Sequence, residues 1–168
     1  REGYGSDIDF AKAVVEATLI RTFNNVHRIT IRGEAGVIKT NSFDEVPTSL
    51  RFYAGGDKSV RGFDYREISP TAEVIDPETG ELIVDSIGGK YLATSSVEYA
   101  YQVADNWRVA AFVDAGTATN DTSTTLTYSV GPGVHWLSPI GPVRLYVARG
   151  FAPDENTWQL HILLGPEL

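Results

Sequence analysis

"SSVEYAYQVADNWRVAAFVDAG", Ser95 to Gly116, reads as two strands and a tight turn. Val97, Tyr99 and Tyr101 fall on one face against Ser96, Glu98 and Ala100; beyond Asp105 and Asn106, Val109, Ala111 and Val113 oppose Arg108, Phe112 and Asp114. Side chains alternate across a strand, so this spacing separates an apolar face from one that carries carboxylates. One face needs an apolar neighbour and the other needs water or a cation.

The same rhythm runs outward in both directions. Ala11, Ala13, Val15, Ala17 and Leu19 alternate with Lys12, Glu16 and Thr18, and Ile29, Ile31, Ala35 and Val37 with Arg28, Thr30, Arg32 and Glu34. Downstream, Tyr128, Val130, Pro132, Val134 and Trp136 oppose Ser129, Gly131, Gly133 and His135. Val143, Leu145 and Val147 oppose Arg144 and Tyr146, and Leu160, Ile162 and Leu164 oppose Gln159 and His161. Short turns at Asn24-Asn25, Asp105-Asn106 and the "SPIGP" of Ser138 to Pro142 take turns with longer connections at 39–89, 117–125 and 153–156.

Short turns at one end and long loops at the other are the pattern of an outer-membrane barrel. A soluble antiparallel sandwich also alternates, burying its apolar faces against a second sheet. Runs of about ten residues, charges on the opposite face, and Trp107, Trp136 and Trp158 near strand ends favour the barrel. The expected fold is all-β: an antiparallel transmembrane β-barrel fragment of about seven to eight strands, one domain over 1–168.

Composition narrows the function. A net charge of −8 over 168 residues speaks against nucleic-acid binding and against attachment to an anionic membrane surface. With no cysteine there is no disulfide or thiolate chemistry. No run of about 18 apolar residues exists to make a transmembrane helix. "GGDKS", Gly55 to Ser59, lacks the spacing of a phosphate loop, and "GDKSVRG" is not a nucleophile elbow. His27, His135 and His161 lack metal-ligand spacing, and "DPETGE", Asp76 to Glu81, reads as a solvated turn rather than a calcium loop. No catalytic residue, cofactor or metal is expected.

One cation stands apart. In "RFYAGGDKSVRGFDYR", Arg51 to Arg66, Arg61 lies between Val60 and Gly62 in a glycine-rich stretch suited to close packing. An enclosed guanidinium keeps its proton and needs planar acceptors. Glu98 and Asp114 lie on the polar faces of neighbouring strands, as do Glu16 and Glu34, and alternation alone does not choose among them.

"RFYAGGDKSVRGFDYREISP", "GKYLATSSVEYAYQV", "NWRVAAFVDAGTA", "GPGVHWLSPIGPVRLYVARG" and "LGPEL" together resemble the C-terminal half of the TamA-family barrel, within the superfamily of BamA and the two-partner-secretion transporters. The resemblance covers nearly the whole chain from about Arg28. It implies that 39–89 is an extracellular loop folding into the barrel lumen, with Val60, Arg61, Gly62 and Phe63 at its tip, and that Arg61 meets Glu98 of "SVEY" and Asp114 of "FVDAG". A luminal pair that is partly hydrated would be worth about 1–3 kcal/mol.

The resemblance further implies a non-enzymatic factor of the bacterial outer membrane that inserts or secretes proteins such as autotransporters. Its implied partners are outer-membrane lipid, substrate outer-membrane proteins and a TamB-like inner-membrane protein reached through POTRA domains. Those domains and the first strands are absent from this sequence, Arg1 to Asp7 read as the end of a preceding loop, and open strand edges would favour self-association. The alternatives are a two-partner-secretion pore or the barrel of an enzyme-fused member, and more remotely a soluble β-sandwich binding domain.

Overall fold

The structure, a computed structural model, describes residues 9–75, 80–121, 126–139, 141–153 and 155–165. Arg1 to Asp7, most of "DPETGE" and the end of "LGPEL" lie outside the described residues. Nine strands are described: β1 (Phe10–Phe23), β2 (His27–Thr40), β3 (Thr71–Ile75), β4 (Leu82–Ser86), β5 (Tyr91–Ala104), β6 (Trp107–Thr119), β7 (Thr127–Ser138), β8 (Gly141–Phe151) and β9 (Asn156–Leu164). Seven of them form one antiparallel sheet in the order β1-β2-β5-β6-β7-β8-β9, the wall of a barrel fragment.

Local chemistry sets the hairpins. Asn24 and Asn25 turn β1 into β2 with φ of 50° and 59°, a left-handed pair that asparagine tolerates, and the Val26 N–H closes the turn on Phe23 O at 3.2 Å. Asp105 and Asn106 turn β5 into β6, with an irregularity between Gln102 and Ala104. The β5–β6 register sets Ser96 opposite Asp114 and Glu98 opposite Phe112, so all four share the inner face.

The outer face is apolar and bare. Val97, Tyr99, Val109, Val113, Val134, Leu145, Val147, Leu160 and Ile162 are exposed. Burying one such side chain is worth about 1.5–3 kcal/mol, so a sheet with this many exposed calls for lipid on that side. A soluble sandwich would bury this face. Aromatics mark both ends: Trp107 and Trp136 stack at 5.8 Å near the short turns, and Tyr128 and Phe151 stack at 4.9 Å near the long loops. From Tyr128 to Trp136 is about 27 Å of strand, or about 20 Å of height at barrel tilt, near the expected lipid-facing band.

The core lies between the inner face and the long connection. Ile38, Leu92 and Ala118 of the wall pack against Val46, Phe52 and Ala54 of the connection, and Phe112, Tyr146 and Ala148 form a second cluster. The connection between β2 and β5 is more structured than a plain loop. It holds 3-10 turns at Phe43–Glu45 and Thr48–Leu50 and the β3–β4 hairpin. The hairpin's strands are five residues long, too short for their alternation to stand out beside wall strands of up to fourteen. β2 runs to Thr40 and β6 to Thr119, each past the loop boundary expected from polarity.

Candidate functional site: the loop tip in the wall

The connection rises from the wall on two isolated bridges, Phe52 with Gly89 and Ala54 with Ile68. Arg51 holds its base without any carboxylate. Nε donates to Val46 O at 2.9 Å, Nη1 to Ile87 O at 3.1 Å, and Nη2 to Asp44 O at 2.9 Å and Phe43 O at 3.3 Å. Gly56 N–H then donates to Phe63 O at 3.1 Å, closing the turn that presents Val60 to Phe63.

All four residues of that tetrapeptide are buried. Gly62 has φ of +96°, and a Cβ there would sit 2.9 Å from Gly150 N and 3.1 Å from the Ser129 Cβ. Only glycine meets both the backbone angle and the contact.

Arg61 is 1% exposed and Asp114 is fully buried. Arg61 Nε donates to Asp114 Oδ2 at 2.8 Å, Nη2 to Oδ1 at 2.9 Å, and the Arg61 backbone N–H to Oδ2 at 3.0 Å. Nη1 donates to Glu98 Oε2 at 2.6 Å and Nη2 to Ser96 Oγ at 3.1 Å. The guanidinium carbon lies 3.6 Å from the Phe112 ring centre and 4.6 Å from that of Tyr146. Burial acts to lower the Arg61 pKa, but the hydrogen bonds and charge of Asp114, joined by those of Glu98, outweigh it and raise the value above that of an ordinary guanidinium.

Arg61 and Asp114 are almost wholly buried, while Arg61 and Glu98 also line a small polar cavity of about 30 Å³. Removing one member of a buried pair costs about 3–5 kcal/mol, because the partner is left charged and poorly solvated.

Of the four carboxylates on the inner faces, the structure brings Glu98 and Asp114 to Arg61. Glu16 and Glu34 face each other across β1 and β2 and, with Arg32 and Lys58, line a separate recess. Glu98 also lies 3.4 Å from His135 Nε2, which in turn is 2.9 Å from the Tyr146 hydroxyl.

Sequence reasoning missed a second grip, from β9. His161 Nε2 accepts from the Gly62 N–H at 3.0 Å, so its other ring nitrogen carries the proton that Asp57 Oδ1 receives. The Thr157 hydroxyl donates to Gly62 O, and Gln159 Nε2 donates to Asp64 Oδ1 at 3.0 Å. Three successive inward positions of one strand thus hold the loop tip. Period-two spacing already set Gln159 and His161 on the polar face, which was the available signal; which segment they touch was not in it.

The arrangement immobilises a loop. Asp114 and Glu98 match the charge of Arg61, and His161 and Thr157 bond the backbone of Gly62. Among the described residues, no group of three histidines or acids gathers where a metal could bind.

A family model described as the Omp85 superfamily domain matches residues 2–165. The chain is 35% identical over 159 residues to outer membrane protein assembly factor BamA of Nitratidesulfovibrio vulgaris, covering 90% of this chain and 19% of that protein. It is 29% identical to BamA of Neisseria meningitidis serogroup B, covering 96% of this chain and 24% of that protein. A crystal structure of BamA from Haemophilus ducreyi lacking POTRA domains 1–3 superposes with a TM-score of 0.75 at 23% identity, covering 95% of this chain and 35% of that one. The chain therefore spans about a fifth to a quarter of the length of these relatives.

Proposed function

The chain belongs to the Omp85 superfamily, and from that premise we propose that it forms part of the barrel wall of an outer-membrane protein assembly factor, with its inward loop locked by Arg61. Its place is the bacterial outer membrane. The observation that carries the reading is the fully buried contact of Arg61 with Asp114 and Glu98, which fixes Val60 to Phe63 against the wall. A loop so held sets the shape of the lumen beside strands β5 to β9. The role is positional and non-enzymatic: the lock decides where the loop sits while client proteins are handled.

We read residues 1–168 as the C-terminal part of a longer barrel that follows POTRA domains: the small share of the BamA relatives that the chain covers supports a longer protein, and the motif resemblance supports the C-terminal placement. β1 and β9, the edges of the described sheet, would pair with further strands there. Unpaired edges are costly in lipid, so the isolated segment would pair with a second copy.

Two assignments within the superfamily differ in clients. The BamA relatives favour general insertion of outer-membrane proteins. The "SPIGPV" and "LGPEL" motifs support a TamA-like factor that serves autotransporters with a TamB-like inner-membrane partner. Depleting the full-length protein separates them: loss of all outer-membrane barrels supports the first, and loss confined to autotransporters supports the second. In either case Arg61→Ala in the full-length protein is expected to raise the protease sensitivity of the loop and to slow client assembly. If both stay at the wild-type level, the lock has no such role.

A further inference from the structure

The net charge of −8 is divided by face. Register places Arg21 of β1, Lys39 of β2 and Arg149 of β8 at outward positions, and no carboxylate occupies an outward position of any described wall strand. The acids lie on the inner face and in the connections, so the chain-wide sum hides a lipid-facing side whose only formal charges are cations. Arg21 lies beside the Asn24-Asn25 turn, whereas Lys39 and Arg149 lie near the long-loop ends.

Arg149 has the most developed surroundings. It pairs with Trp158 across β8 and β9 and follows Leu145 and Val147 on the exposed face. Its guanidinium carbon lies 5.1 Å from the Phe151 ring centre and 5.4 Å from that of Trp158. Phe151 is nearer the loop end, so the side chain bends toward the rim and away from the hydrocarbon. The contrast with Arg51 and Arg61 is sharp, since each of those spends its donors on protein oxygens. Among the described residues, Arg149 has aromatic faces and no acceptor.

We propose that Arg149, Phe151 and Trp158 form a binding site for the phosphate of an outer-leaflet lipid. The guanidinium fork matches two phosphate oxygens, and the two rings shield it from water on the barrel side while offering apolar surface to the lipid's adjoining carbons. Long loops mark the outer side of such barrels, which assigns the site to the outer leaflet. The inference rests on the reading of the chain as outer-membrane barrel wall.

The test uses the full-length protein, delipidated in detergent and titrated with lipid A or with lipid A stripped of its phosphates, with bound lipid counted by native mass spectrometry. Arg149→Gln is expected to lower lipid A retention about fivefold, the worth of one cation at an anionic membrane surface. Trp158→Leu, which keeps an apolar side chain facing lipid, should lower it less. Arg21→Gln, at the opposite rim, should leave it unchanged, and the phosphate-free lipid should bind wild type and Arg149→Gln alike. Retention by Arg149→Gln equal to wild type overturns the site, as does an equal loss in Arg21→Gln or equal binding of the phosphate-free lipid by wild type. Heat-modifiable migration is read on every sample. Its absence in wild type would sink the barrel reading itself, whereas its presence with unchanged lipid binding sinks only this site.

Discussion

Asp114→Asn isolates the lock, because it changes one charge and almost no volume. Asp114 accepts three hydrogen bonds from Arg61, two at Oδ2 and one at Oδ1. The amide has one acceptor oxygen. Placed at Oδ2 it keeps two of the bonds, while its NH2 then faces the Nη2 donor. The cost is one charge-assisted bond, about 1.5–3 kcal/mol, plus the loss of the countercharge that holds the buried cation through both of its oxygens. Breaking a buried pair costs about 3–5 kcal/mol, and Glu98 remains at 2.6 Å to neutralise part of the charge. The low end, about 3 kcal/mol, is expected, equivalent to about a hundredfold shift between seated and released loop.

Trypsin cleavage after Lys58 in the full-length barrel reads that equilibrium when opening is fast relative to cleavage. The rate for Asp114→Asn should rise about a hundredfold. Glu98→Gln, which weakens one bond instead of three, should raise it about tenfold. A rise of less than about threefold in Asp114→Asn, or a larger effect in Glu98→Gln, would refute the burial argument.

Further outcomes follow from the same contacts. Gly62→Ala places a Cβ 2.9 Å from Gly150 N at φ of +96°, so it should release the loop by at least the left-handed penalty of about 1–2 kcal/mol, seen as faster amide exchange across Val60 to Phe63. His161→Ala removes the acceptor of the Gly62 N–H and should open the tip while leaving cleavage near Arg51 unchanged; equal opening at both places would show that β9 has no separate grip. The folded-state pKa of Arg61 is raised, so its contribution is complete below the ordinary guanidinium value and is lost only as pH rises through the still higher folded value. Because the chain has no cysteine, a single nitroxide can be attached at Tyr65→Cys. Its spectrum should not change between neutral pH and about pH 10, and loosening there would contradict a charge-locked tip.

Period-two spacing determined the seven wall strands and the inner placement of Glu98 and Asp114, because a strand's side-chain period is a local property of the backbone. The Asn-Asn and Asp-Asn turns were legible for the same reason. The β3–β4 hairpin was not, since five-residue strands give alternation too little length to stand out. Motif resemblance pointed to the right superfamily, while the relatives reported above are BamA proteins.

Alternation left open which carboxylates Arg61 meets, because Glu16, Glu34, Glu98 and Asp114 share one parity; motif resemblance named Glu98 and Asp114, and only the tertiary structure, where a distant loop lands, brings those two to the guanidinium. It also decided how deeply the pair is buried and that Thr157, Gln159 and His161 of β9 hold the tip from the other side. That burial depends on how Phe112, Tyr146 and the loop backbone close around one guanidinium, and no pattern along a single strand carries that information.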